Sequence, residues 1–164
     1  MEKTSDNYAA FWSYLSPGQQ NLILEGQYLM QDVLKDHAHL RFKDYSFVIF
    51  PFAKAYEGFL KQLFKDINFI SHLDYISDHL RLGKLLSPNL INRLGEKSLY
   101  KKILQKTTKE FADKIWQMWK IGRNQVFHYY PHNLKALSFV EAEHIVNQII
   151  QTMEEAYKVL NIKN

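Results

Sequence analysis

The chain contains no cysteine. Disulfides, thiolate zinc sites and cysteine nucleophiles are therefore excluded, and the composition fits a reducing compartment. Its six glycines are scattered, so no glycine-rich loop is available to cradle phosphates. The longest apolar run, Phe47 to Phe52, falls far short of the roughly 20 residues a membrane span needs. The N-terminal MEKTSDNYAAFW is polar and carries acids, unlike a secretory leader. His37 with His39, and His128 with His132, lack an acid or cysteine at metal spacing, so neither a metal nor a cofactor is expected. With 46% hydrophobic residues, the expectation is one soluble, cytoplasmic domain over residues 1–164.

No stretch alternates as a strand would, and there is no internal repeat or low-complexity linker. Ser16 followed by Pro17 reads as an N-cap and first helical position, opening a helix to about Lys35. Tyr45, Val48, Phe52, Ala55, Phe59 and Leu63 step by three and four along a second helix from near Asp44. Pro51 imposes a kink or a late start on it. From about Ile67 to Ser98 the pattern breaks into loops and one or two short helices. TTKE at Thr107–Glu110 and SFVE at Ser138–Glu141 read as capping boxes of two later helices. Pro131 is expected to end the first of these, because the residue before a proline avoids the helical region. The fold class is all-α, a four- to five-helix bundle with a basic loop and short-helix insertion.

Charge is unevenly placed. Between Arg81 and Lys109 stand eight cations against Glu96, a net of +7 in 29 residues, which leaves −3 for the rest of a chain totalling +4. Such a block attracts the phosphates of a polyanion, and Lys97, Lys101, Lys102 and Lys106 are its candidate RNA contacts. A lysine-rich solvated surface has the same composition.

The segment GRNQVFHYY, Gly122 to Tyr130, carries polar groups that an amphipathic core helix does not need. On a regular helix Asn124 and His128, four residues apart, share a face with Arg123 beside them. An arginine can hold phosphate oxygens by two parallel hydrogen bonds. A histidine, which ordinarily titrates near about pH 6.5, can pass protons at cellular pH. An asparagine amide can orient either. RNA cleavage by the 2′-hydroxyl wants such a set: a base takes the proton and a cation stabilises the charged transition state. The same residues also suit an arginine lying along a bundle helix and a histidine at its end.

Arg123, Asn124 and His128, late in an interior helix of a small helical domain, resemble the signature of the HEPN family. The resemblance implies a HEPN-type bundle, a metal-independent endoribonuclease and commonly the toxin of a toxin–antitoxin or defence module. On that likeness Arg123 and His128 are the catalytic pair and Asn124 supports them. KAYEGFLKQLF, Lys54 to Phe64, is similar to the helix before the motif in RNase LS-type toxins, which places Glu57 near the pair. Tyr130, two residues after His128, resembles the tyrosine that a nucleotidyltransferase antitoxin modifies in the HepT subgroup. The implied partners are RNA, a second copy of the chain and a cognate antitoxin. A two-fold homodimer would bring two copies of Arg123 and His128 to one cleft, with Trp116, Trp119 and Phe127 in the contact. The alternative is a non-catalytic HEPN-like module that binds nucleotide, RNA or protein.

Overall fold

The computed structural model describes residues 3–36 and 41–160. His37 and His39 lie outside the described residues, which contain helices and turns but no strand. The helices are α1 (Lys3–Tyr14), α2 (Pro17–Asp36), α3 (Phe50–Asp66), α4 (His72–Ile76), α5 (Leu82–Leu85), α6 (Ile91–Leu94), α7 (Leu99–Lys106), α8 (Lys109–Trp119) and α9 (Phe139–Leu160). None of them is long and apolar enough to cross a membrane.

Helix α2 starts where the sequence indicates. The Ser16 hydroxyl accepts from the Gln19 N–H at 3.4 Å, and the Ser16 N–H donates back to Gln19 Oε1 at 3.2 Å. This reciprocal cap leaves the Gln19 amide nitrogen to donate to Gln62 Oε1 at 3.1 Å. Gln62 in turn donates to the Tyr14 carbonyl at 2.8 Å. The α1–α2 corner is thereby tied to α3. Pro51 gives a late start rather than a kink: a 3₁₀ turn over Ser46–Ile49 precedes α3, and the proline stands in its first turn.

Helix α3 is the axis of the fold, packed against α2 and α9. Phe52, Ala53, Ala55, Tyr56, Phe59, Leu60, Leu63 and Phe64 are buried, so little of its circumference meets solvent. The open stripe is Lys54, Glu57, Gly58 and Lys61. Gly26 sets the closeness of α2: a Cβ there would lie 2.5 Å from the Phe52 ring and 2.9 Å from Pro51.

The segment between α3 and α8 is more structured than its sequence suggests, with three short α-helices and two 3₁₀ turns before α7. The cap of α8 is also shifted by one residue. Thr108, not Thr107, accepts from the Phe111 N–H at 3.2 Å, while Thr107 donates to the Ile103 carbonyl and closes α7. The Ser138–Glu141 box forms as read, with the Ser138 N–H donating to Glu141 at 2.8 Å and the Glu141 N–H to Ser138 Oγ at 3.3 Å.

Candidate functional site

Helix α8 does not run on to Pro131. After Trp119 it widens into a π-helical turn over Lys120–Gln125, and the chain has left helical form at His128. The expectation that Asn124 and His128 share a helix face is therefore corrected. Regular periodicity fails at Gly122. This buried residue packs so closely that a Cβ would lie 2.6 Å from the Met118 methyl and 3.0 Å from Ile149 of α9. Without a Cβ the widened turn rests directly on α9. Single π-turns are rare, and they recur at functional sites because they re-aim side chains.

Arg123 projects from this turn onto α3. Its Nε and Nη2 both approach Glu57 Oε2, at 3.3 and 3.2 Å. Its guanidinium lies 5.3 Å from the Trp119 ring centroid, a cation–π distance. Glu57 Oε1 faces Lys61 Nζ at 3.5 Å, so one carboxylate is shared by two cations. The side chains of Arg123 and Glu57 remain 40% and 27% exposed, which keeps the pair's stabilisation to about 0.2–1 kcal/mol. A guanidinium has five N–H donors and this pairing engages two, which leaves three for a ligand. Beside the pair is a cavity of 260 Å³ lined by Phe50, Ala53, Lys54, Glu57, Arg123 and Phe127. Phe50 and Phe127 meet edge to face at 5.6 Å across it.

The other sequence-identified residues sit apart from that pair. Asn124 is half-buried in the π-turn, and no hydrogen bond of its side chain is formed among the described residues. His128 is exposed; its backbone N–H donates to the Gln125 carbonyl at 3.4 Å, and its ring has no partner among the described residues. Tyr130 lies under the Lys135 ammonium, 4.1 Å from ring centroid to Nζ. Structure thus joins Arg123 to Glu57 but joins His128 to neither. Of the aromatics assigned to a dimer contact, Trp119 is in the core and Trp116 is half-buried against it, leaving Phe127 exposed. Trp119 serves the fold and the Arg123 guanidinium instead.

The loop after the motif is anchored. Asp44 accepts from the Ser46 N–H at 2.9 Å, Asn133 Nδ2 at 3.0 Å and the Leu137 N–H at 3.3 Å. Burial pushes the Asp44 carboxyl up, but these bonds outweigh it and hold the group below the usual carboxylate range. His132 and Asn133 have φ of 58° and 53°, the left-handed region in which asparagine is among the better tolerated residues.

The basic stretch does not line the cavity, contrary to the expectation that it would flank the cleft. Lys102 Nζ donates to the Phe69 carbonyl at 2.6 Å, Lys106 stands 5.3 Å over the Phe69 ring and Lys101 pairs with Glu96, while Lys97 is exposed. These groups gather beyond the C-terminal end of α3, whereas Arg123 meets its middle, about 14 Å of helix away. Sequence reasoning missed Lys54 and Lys61 as site residues, although Lys54, Glu57 and Lys61 fall at helical spacing in the KAYEGFLK stretch. Among the described residues no three His, Asp or Glu side chains converge as metal ligands. Comparison of the chain with protein-family models, curated proteins and solved structures returns no match.

Proposed function

We propose that the protein is a metal-independent endoribonuclease of HEPN type, acting through Arg123 and His128. The observation that carries this reading is the placement of Arg123. A π-turn aims a half-exposed guanidinium, with three donors to spare, over a cavity lined by aromatic rings and Lys54. In the proposed reaction Arg123 binds the scissile phosphate and stabilises its developing charge. His128 exchanges protons with the 2′-hydroxyl and the leaving oxygen. Glu57 keeps Arg123 in place while no substrate is bound. The exposed position of His128 also suits a second reading, a module that binds RNA or nucleotide without cutting it.

Cleavage in EDTA separates the two. Incubation of the purified protein with single-stranded RNA is expected to yield 2′,3′-cyclic phosphate or 3′-phosphate ends, read by end-labelling and mass spectrometry. Binding without new ends, or cleavage lost to the chelator, would refute the proposal.

Cellular use as a toxin would need an antitoxin. One route covers the cavity with acidic surface. The other modifies Tyr130 and so adds negative charge to the segment that carries His128. Tyr130→Phe distinguishes them in a growth assay with the antitoxin co-expressed. Toxicity that persists supports modification, and neutralisation leaves covering as the mechanism.

A further inference from the structure

The 260 Å³ cavity beside Arg123 shares Lys54 and Glu57 with a larger one of 720 Å³ lined by Ser16, Gly18, Lys61 and Tyr75, among others. The two cavities flank the open stripe of α3, one towards the π-turn and one towards α2, and they meet at Lys54 and Glu57, so that together they make a surface trough. Its charge is lopsided: among the residues that line it, Lys54, Lys61 and Arg123 face one acid, Glu57, which is already shared between two of them. Lys54 makes no ion pair among the described residues. Lys54 and Lys61 are two helical turns apart, about 10 Å along the axis. At the end away from Arg123 stands the half-buried Tyr75 ring, with His72 stacked on it at 6.4 Å and Lys65 Nζ, which also pairs with Asp66 at 3.0 Å, 5.0 Å from its centroid. A row of cations ending on an aromatic face is the arrangement that holds a single strand, with phosphates on the charges and a base on the ring.

We propose that this trough, and not the Arg81–Lys109 stretch, carries the single-stranded RNA away from Arg123, with Lys54 and Lys61 on phosphates and Tyr75 stacked on a base. The identity of the polymer rests on the ribonuclease reading above. The lysines of the basic stretch engage other groups: Lys101 pairs with Glu96, Lys102 and Lys106 meet Phe69, and Lys97 and Lys102 act electrostatically on Asp74 beside Tyr75.

The test uses a single strand of about twelve 2′-O-methyl nucleotides, within the span such sites occupy, titrated by fluorescence anisotropy over a range of salt. This probe has no free 2′-hydroxyl and stays intact, so binding is read apart from cleavage. Lys54→Gln with Lys61→Gln is expected to lower the slope of log K against log salt by about 1.4, two contacts of about 0.7 each. Lys101→Gln, Lys102→Gln and Lys106→Gln together should leave it unchanged. Tyr75→Leu, which keeps an apolar side chain, should weaken binding roughly ten-fold. Gly18→Asp is a control for folding: a Cβ there meets nothing within 4 Å, and an acid in the first turn of α2 favours the helix. It should keep the melting temperature while weakening the probe.

The trough assignment falls if the Lys54 and Lys61 changes leave the slope intact, or if the triple change flattens it instead. It falls equally if polyglutamate binding is lost as readily as RNA and Tyr75→Leu affects neither, which marks a site for acidic protein. A wild type that cuts no RNA, together with the expected slope loss in the Lys54 and Lys61 variant, overturns the nuclease reading and leaves the trough standing. Cleavage that ignores the trough variants does the reverse.

Discussion

Arg123→Ala and His128→Ala are each expected to slow RNA cleavage by about 10² or more, the scale for losing a charge-stabilising or proton-transferring group. That factor is about 2.7 kcal/mol of barrier. The Arg123–Glu57 pair, open to solvent, contributes about 0.2–1 kcal/mol to folding, so the activity loss should far exceed any stability loss. His128 is exposed and its ring makes no hydrogen bond, ion pair or ring contact among the described residues, so that variant should melt with the wild type. Arg123→Lys retains the charge without the planar fork and should recover only part of the rate. Mixing the two inactive variants probes assembly as well. A dimer that builds one cleft from two chains should regain activity, because one intact Arg123 and one intact His128 then meet. Full activity in either single variant would remove that residue from the chemistry, and an inactive mixture would argue against a shared cleft.

The framework was more legible in the sequence than the site. Ser16–Pro17 and Ser138–Glu141 mark true helix starts because one side chain in each accepts a backbone N–H of the first turn. At Thr107–Thr108 two hydroxyls compete, and the end of α7 takes one of them. The π-turn was not legible, since counting in steps of 3.6 assumes a regular helix through Gly122. Contact with Ile149, contributed by a distant helix, decides otherwise. Arg123 and Glu57 lie 66 residues apart, so their meeting followed from the family resemblance and not from spacing. The net charge of the Arg81–Lys109 block was read correctly, but where each ammonium points depends on Glu96 and Phe69.

Tyr56→Ala should be the most damaging of the substitutions considered, because it empties the seam between α3 and α8. The side chain is fully buried, its ring lies 6.5 Å from that of Trp119, and its hydroxyl donates to the Ile115 carbonyl at 3.1 Å. Burial pushes the phenol up, well above its ordinary range, so it remains a neutral donor. Truncating a large buried aromatic costs about 3–5 kcal/mol through lost transfer energy and the cavity left behind. For a chain of this size that is a fall of about 10 °C or more in Tm. Tyr56→Phe keeps the ring and forfeits one hydrogen bond, about 1 kcal/mol. Urea and thermal unfolding of both variants give the comparison directly. A loss in Tyr56→Ala below about 1.5 kcal/mol would mean that this seam collapses around the missing ring and is not tightly packed. Because Glu57 is the next residue, the same truncation should loosen its hold on Arg123.

The π-turn at Lys120–Gln125 also changes what a residue count along this motif means. A turn that holds more residues than its neighbours is equivalent to an α-helix with one residue inserted. Deleting one residue there would restore the regular helix and leave the segments on either side facing much as they do now. The number of positions between Arg123 and His128 is thus a property of this turn as much as of the chemistry. Two chains whose motifs differ by one intervening residue can present the same side chains to the same cavity if only one of them carries the wider turn. A one-residue gap placed at this turn is therefore physically reasonable when such sequences are aligned, and a rigid spacing rule would separate molecules built alike.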